Sequence, residues 1–222
     1  MHASDWLVWQ LADATFPSGG FAHSGGVEAA WRCGQVADAG RLREFIEAQL
    51  VQTAESMAPL VRTACLEPSR LVELDRLCHA MLSNQVANRA SLAQGRALVV
   101  AAERAFGLPD LAEIGRQLRS RAFEGHLAPL FGAMTAALAI DVELAVRLFL
   151  YINARGLLSS AVRLNIVGPL EAQAIQFRLG RYVEDVAVRR SHLRAEDAAQ
   201  TAPALEVLQI MHDRIYSRLF QS

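Results

Sequence analysis

An all-α fold is what this sequence predicts, on three observations. Apolar residues recur at helical spacing in nearly every segment, and the alternating runs that mark half-buried strands are absent. Glycine, proline and aspartate fall where helices should start and stop. The chain has 222 residues, a length that one core can hold. Residues 1–222 are therefore expected to form a single domain, a multi-helix bundle of about nine to ten helices without a sheet.

Ser4 is placed to cap a first helix carrying Trp6, Leu7 and Leu11. The glycine-rich stretch 16–26 interrupts it, and a helix from Val27 comes next with Gly34 as its C-terminal signal. Asp38 caps the next, whose Leu42, Phe45, Ile46 and Leu50 form one stripe. Pro68-Ser69 opens a helix with Leu71, Leu74, Leu77, Met81 and Leu82 on one face. A helix with Leu92, Leu98, Val99 and Phe106 ends at Gly107, just before Pro109, and Leu111, Ile114 and Leu118 continue the pattern. His126 to Ile140 is apolar nearly all round, which marks the central helix of a bundle. Asp141 caps a helix with Leu144, Leu148 and Tyr151, and Gly156 and Gly168-Pro169 punctuate the chain beyond it. Pro169 suits the first turn of a long helix through Ala187. Arg189 to Gln200, the most polar stretch, reads as a mobile connection. Thr201 and Pro203 start a last helix ending near Tyr216.

Composition narrows function. Hydrophobic residues make up 52%, which excludes disorder as the default state and leaves apolar surface for a partner. The net charge of −1 gives no field for nucleic acid or an anionic membrane. All 22 basic residues are arginine. That removes Schiff-base and P-loop lysine chemistry and leaves planar forks suited to carboxylates and carbonyls. Cys33, Cys65 and Cys78 are odd in number and form no CxxC, so a reducing, cytoplasmic compartment is expected. The start of the chain has an early acid and no basic run, unlike a secretory signal. Leu127–Ile140 is too short to span a bilayer.

Several segments stand out as contact surfaces more than as active sites. The loop 16–26 holds Gly19, Gly20, Phe21, His23, Ser24 and Gly25, and its glycines allow close backbone approach. It lacks the GxxxxGK[ST] pattern and a GxSxG elbow. Arg89 and Arg96 lie a heptad apart on one helix face, with Gly95 between them where close packing against another helix is expected. His126 opens the Gly125–Ala133 segment, whose Gly132 and Ala133 permit tight crossings. Arg163 sits in an apolar setting and needs a carboxylate or carbonyl partner. Tyr216, Arg218, Leu219 and Phe220 form an apolar tail, 216–222, expected to be mobile and to order on a partner. His23, Glu28, Cys78, His79 and His126 are scattered and show no metal-ligand spacing. No catalytic residue, metal ligand or cofactor is assigned.

Taken in order, these segments resemble the UreF family of urease accessory proteins. The matching stretches are Phe16 to Glu28, Arg89 to Arg96, Gly125 to Gly132, Ser160 to Leu164 and Arg218 to Phe220, spread over essentially the whole chain. The chain departs from the family pattern at Asn165 to Glu171 and at Gln221. The resemblance implies an all-α, homodimeric, non-catalytic scaffold that binds the D-type accessory protein (UreD or UreH) and the GTPase UreG. It implies docking on apo-urease, nickel and GTP handled by the partners, and modulation of the UreG GTPase. The residues it puts at contacts are those named above. The alternatives are a helical enzyme using His23, Ser24 or His126, and a dimerising regulator of another metalloenzyme.

Overall fold

The computed structural model describes residues 5–222. Among them there are α-helices and short 3-10 turns and no strand. In order, the helices are α1 (Asp5–Ala12), α2 (Val27–Arg32), α3 (Ala39–Ser56), α4 (Ala58–Leu66), α5 (Leu71–Met81), α6 (Gln85–Phe106), α7 (Pro109–Arg119), α8 (Leu127–Ala137), α9 (Val142–Arg163), α10 (Pro169–Arg189) and α11 (Pro203–Ile210). Helices α3 and α4 meet head to tail at Met57, which keeps helical backbone angles, with Pro59 tolerated in the first turn of α4.

The expected boundary signals act as read. Asp38 and Asp141 accept hydrogen bonds from the first free amides of α3 and α9. Gly107 ends α6 in the left-handed conformation, and Pro109 and Pro169 open α7 and α10. The expected cap at Ser4 lies outside the described residues. Three expectations need correction. Gly156 does not interrupt α9, because nothing crowds it and the buried face runs past it from Ala154 to Leu158. The last α-helix stops at Ile210 and passes into a 3-10 turn, Met211–Arg214. The stretch from Arg189 to Gln200 is pinned rather than mobile. Arg190 pairs with Glu55 at 2.6 Å, the Ala195 amide donates to Thr63 Oγ1, and the Ala199 amide donates to the Glu55 carbonyl.

Helix α8 is the hub. Every residue from Ala128 to Thr135 is buried, and α4, α5, α6 and α9 surround it. The closest crossings are made by glycine. A Cβ on Gly132 would lie 2.3 Å from the Val61 carbonyl oxygen of α4, and one on Gly95 of α6 would lie 2.3 Å from the Gly125 carbonyl oxygen. Arg62 of α4, almost fully buried, crosses to α9 and pairs bidentately with Glu143. This frame holds two distant segments, 19–28 and 212–222, against the end of α9.

Candidate partner-binding site

The glycine-rich loop and the C-terminal segment form one structure. The Gln221 amide donates to the Ala22 carbonyl at 2.9 Å, and the Ser24 amide donates to the Ser222 carbonyl at 2.6 Å. His23 Nδ1 and Ser222 Oγ are 2.5 Å apart. Two loop glycines make the close approach possible. Gly25 and Gly26 have φ of +60° and +91°, and a side chain at Gly25 would strike Leu157 of α9.

Beneath this junction lies Glu28, fully buried at the start of α2. Its carboxylate accepts from the Leu219 amide at 2.7 Å, the Phe220 amide at 3.1 Å and His212 Nε2 at 3.3 Å. A buried carboxylate survives when donors surround it. Burial pushes the His212 imidazole below its usual pKa despite the facing carboxylate, so His212 serves as a neutral donor. Burial, and secondarily the proximity of His212, also lowers His23.

Arg163, at the end of α9, finds aromatic faces where a carboxylate or carbonyl partner was expected. Its guanidinium lies 3.8 Å from the ring centre of Phe21 and 4.1 Å from that of Phe220, one from the loop and one from the tail. Its polar contact is a long one, 3.5 Å to Ser160 Oγ. Desolvation pulls its pKa down. Arg163 thus staples loop to tail by cation–π contact.

The tail expectation is corrected accordingly. Phe220 is buried in the chain's own core, and residues 219–222 are hydrogen-bonded in place. The outward side of the junction is another matter. Phe21 is 72% exposed, Leu219 is 59% exposed, and the Tyr216 side chain stands fully in solvent. Arg218 pairs with Asp213 at 3.3 Å, and Asp213 is held bidentately by Arg89. Hydrogen bonding to Arg89 keeps the Asp213 carboxyl below the usual range.

Some expected contact residues are not presented to a partner. Ser24 and His126 are fully buried, because the loop folds inward and because His126 sits at the N-terminus of the central helix. Arg89 and Arg96 share a helix but not a task. Arg89 reaches Asp213, whereas Arg96 donates to the Glu124 carbonyl at 2.9 and 3.1 Å. Among the described residues no hydrogen bond joins His126 to His23 or Ser24, so the three residues of the enzyme alternative do not form one constellation.

Behind the loop is a largely apolar cavity of about 660 Å³, reaching from Phe16 and Gly19 past Gln94, Phe131 and Asn153 to Leu205. Sequence reading missed two structural acids. Glu28 organises the tail, and Asp75 of α5 accepts the amides of Glu124, Gly125 and His126 at 2.7–3.1 Å. Glu28 sits among apolar neighbours, where an isolated acid was the available signal, whereas Asp75 lies beside Arg76 and close to Glu73 and gave none. Among the described residues no group of three or more His, Cys, Asp or Glu side chains converges as a metal site. None of the described helices is long and apolar enough to cross a membrane.

Comparison with known proteins gives a consistent answer. The UreF family model matches residues 36–180. The chain is 39% identical to a protein of Arabidopsis thaliana named Urease accessory protein F, over 98% of this chain and 92% of the relative. It is 37% identical to the protein of that name from Oryza sativa subsp. indica, over 97% and 84% of the two chains. To Urease accessory protein UreF of Bacillus sp. (strain TB-90) it is 29% identical, over 97% of each.

Proposed function

This chain belongs to the UreF family of urease accessory proteins, and from that premise we propose that it is a non-catalytic scaffold for urease maturation in the cytoplasm. As a homodimer it joins the D-type accessory protein (UreD or UreH) to the GTPase UreG. It presents them to apo-urease and modulates GTP hydrolysis by UreG. Nickel is the cargo of that assembly, and GTP is bound by UreG.

The observation that supports this reading is the exposed face of the loop–tail junction. Phe21 and Leu219 project outward where the Arg163 stack and Glu28 fix the loop and the tail, and Tyr216 stands in solvent just before them in the tail. Large apolar side chains held rigidly at the surface suit partner contact, since little entropy is lost when they are covered. The dimer contact and the UreG contact are carried over from the family.

The test is co-purification of the full chain with UreD and UreG after single changes Phe21→Ala, Tyr216→Ala and Leu219→Ala. Loss of about 1–2 kcal/mol per contact, roughly a tenfold weaker capture, is expected, with the melting curve unmoved for Tyr216→Ala. Undiminished capture and urease activation in the triple variant would reject this face as the contact.

A further inference from the structure

The cavity behind the glycine-rich loop has a cause in the sequence. Helix α6 lines it with Ala87, Ala90, Ser91 and Ala97, and α9 lines it with Gly156 and Ser159. Each set recurs at helical spacing, so one face of either helix presents side chains too small to fill the space. We propose that this space is a binding site for one uncharged, largely apolar organic molecule that carries a hydroxyl or N–H group. This inference stands apart from the scaffold reading and does not depend on any partner.

Its size and access suit such a ligand. A volume of about 660 Å³ falls within the roughly 300–1,000 Å³ of small-molecule sites. The floor is apolar, with Leu50, Leu98, Phe131 and Phe149 belonging to the core behind it. The mouth lies at the loop, where the exposed residues Ala14, Thr15, Pro17 and Gly19 border it. A molecule of this kind has a way in without unfolding of the helices.

Gly156 is a second, independent sign of an occupant. It lies inside the 22-residue α9, where glycine is less favourable than alanine. Gly95 and Gly132 have their reason in backbone carbonyls that leave no room for a Cβ. Around a Cβ at Gly156 nothing in the chain lies within 4 Å. Its bare backbone borders the cavity and admits close approach by a molecule that the chain does not itself supply.

The polar groups of the wall set the ligand's chemistry. Gln94 and Asn153 each donate a side-chain N–H to a carbonyl one turn back, that of Ala90 and that of Phe149. Their side-chain oxygens keep acceptor capacity, which calls for a donor on the ligand. The ionisable groups do not invite a charge. Arg155 donates to the Ala12 carbonyl, and Arg163 lies against the rings of Phe21 and Phe220. Burial holds the His23 and His212 imidazoles below their usual pKa and raises the Glu206 carboxyl. An anion would meet that carboxyl, and a cation would meet the two guanidinium groups.

The probe is Nile red, an uncharged dye whose emission rises in apolar surroundings. Titrated with the full-length chain, it should bind saturably, one molecule per chain. Decanol should displace it at concentrations roughly tenfold lower than decanoate or decyl methyl ether, which lack its neutral donor. Gly156→Leu sets a side chain into the cavity at an uncrowded position, so the melting curve should hold or rise while dye affinity falls by roughly tenfold or more. Ala90→Leu, from the α6 wall, should do the same and serves if Gly156→Leu misfolds. Gln94→Leu should leave Nile red bound and narrow the advantage of decanol over its methyl ether. No saturable binding by the parent chain, or full affinity in the folded leucine variants, would overturn the site. Stronger displacement by decanoate would overturn the uncharged class. Loss of binding when Trp6 and Trp9 are both changed to Ala would also overturn the site, because these exposed rings lie outside the cavity.

Discussion

At the scale of single residues, Glu28 carries the most structure per atom. Replacing it with alanine orphans two buried donors, His212 Nε2 and the Phe220 amide, and the half-buried Leu219 amide, and a buried donor left unpaired costs about 1–3 kcal/mol. Glu28→Ala should therefore lower unfolding free energy by about 2–4 kcal/mol once relaxation is allowed for, measured by urea titration. The histidines set the pH response. Burial lowers His23, His126 and His212 in the folded state, so the unfolded chain takes up protons first as pH falls. Stability contributed by their neutral forms is complete above the unfolded pKa of about 6.5 and is lost below it. The depressed carboxyls, such as Asp213 and Glu143, lose their contribution only in more acidic solution. Thermal melts should fall between about pH 7 and 5, and His23→Gln should flatten that slope. The individual residues were legible unevenly. Gly95 announced its close approach, because a glycine inside a helix has a cost that needs a reason. Glu28 and Asp75 did not, because their partners are backbone amides or rings brought close only by folding.

At the scale of elements, caps and proline positions marked most boundaries, since those signals are local. The division of α3 from α4 at Met57 and the continuity of α9 through Gly156 were not legible, because packing against neighbouring helices decides them and not a local signal. Packing also ranks the glycines. In α10, a Cβ on Gly180 would meet nothing within 4 Å, so Gly180→Ala should raise stability by about 0.5–1 kcal/mol. Gly95→Ala and Gly132→Ala would drive a methyl group into backbone carbonyls and should cost about 1–3 kcal/mol or more. Denaturation of the three variants should therefore give opposite signs at the exposed glycine and at the two buried ones.

At the scale of the whole molecule, the glycine-rich loop and the tail are mutually dependent. Removing Arg218 to Ser222 strips Phe220 from the core, uncovers Glu28 and leaves one aromatic face of Arg163 bare. Emptying a buried phenylalanine site costs about 3–5 kcal/mol, which for a chain of this size lowers Tm by roughly 6 °C or more. The truncated chain should lose UreD capture together with that stability, whereas Tyr216→Ala should lose capture alone. Differential scanning calorimetry beside co-purification separates the two. The same junction bears on biosynthesis. Residues 19–28 leave the ribosome long before the amides that satisfy Glu28 and the ring that closes over Arg163 are made. Through most of translation the loop remains an unfinished surface, and contacts of such long range form late. The exposed face of the junction is consequently completed by residues 212–222, so a chain stalled or released before them would lack that surface even with its central helices formed.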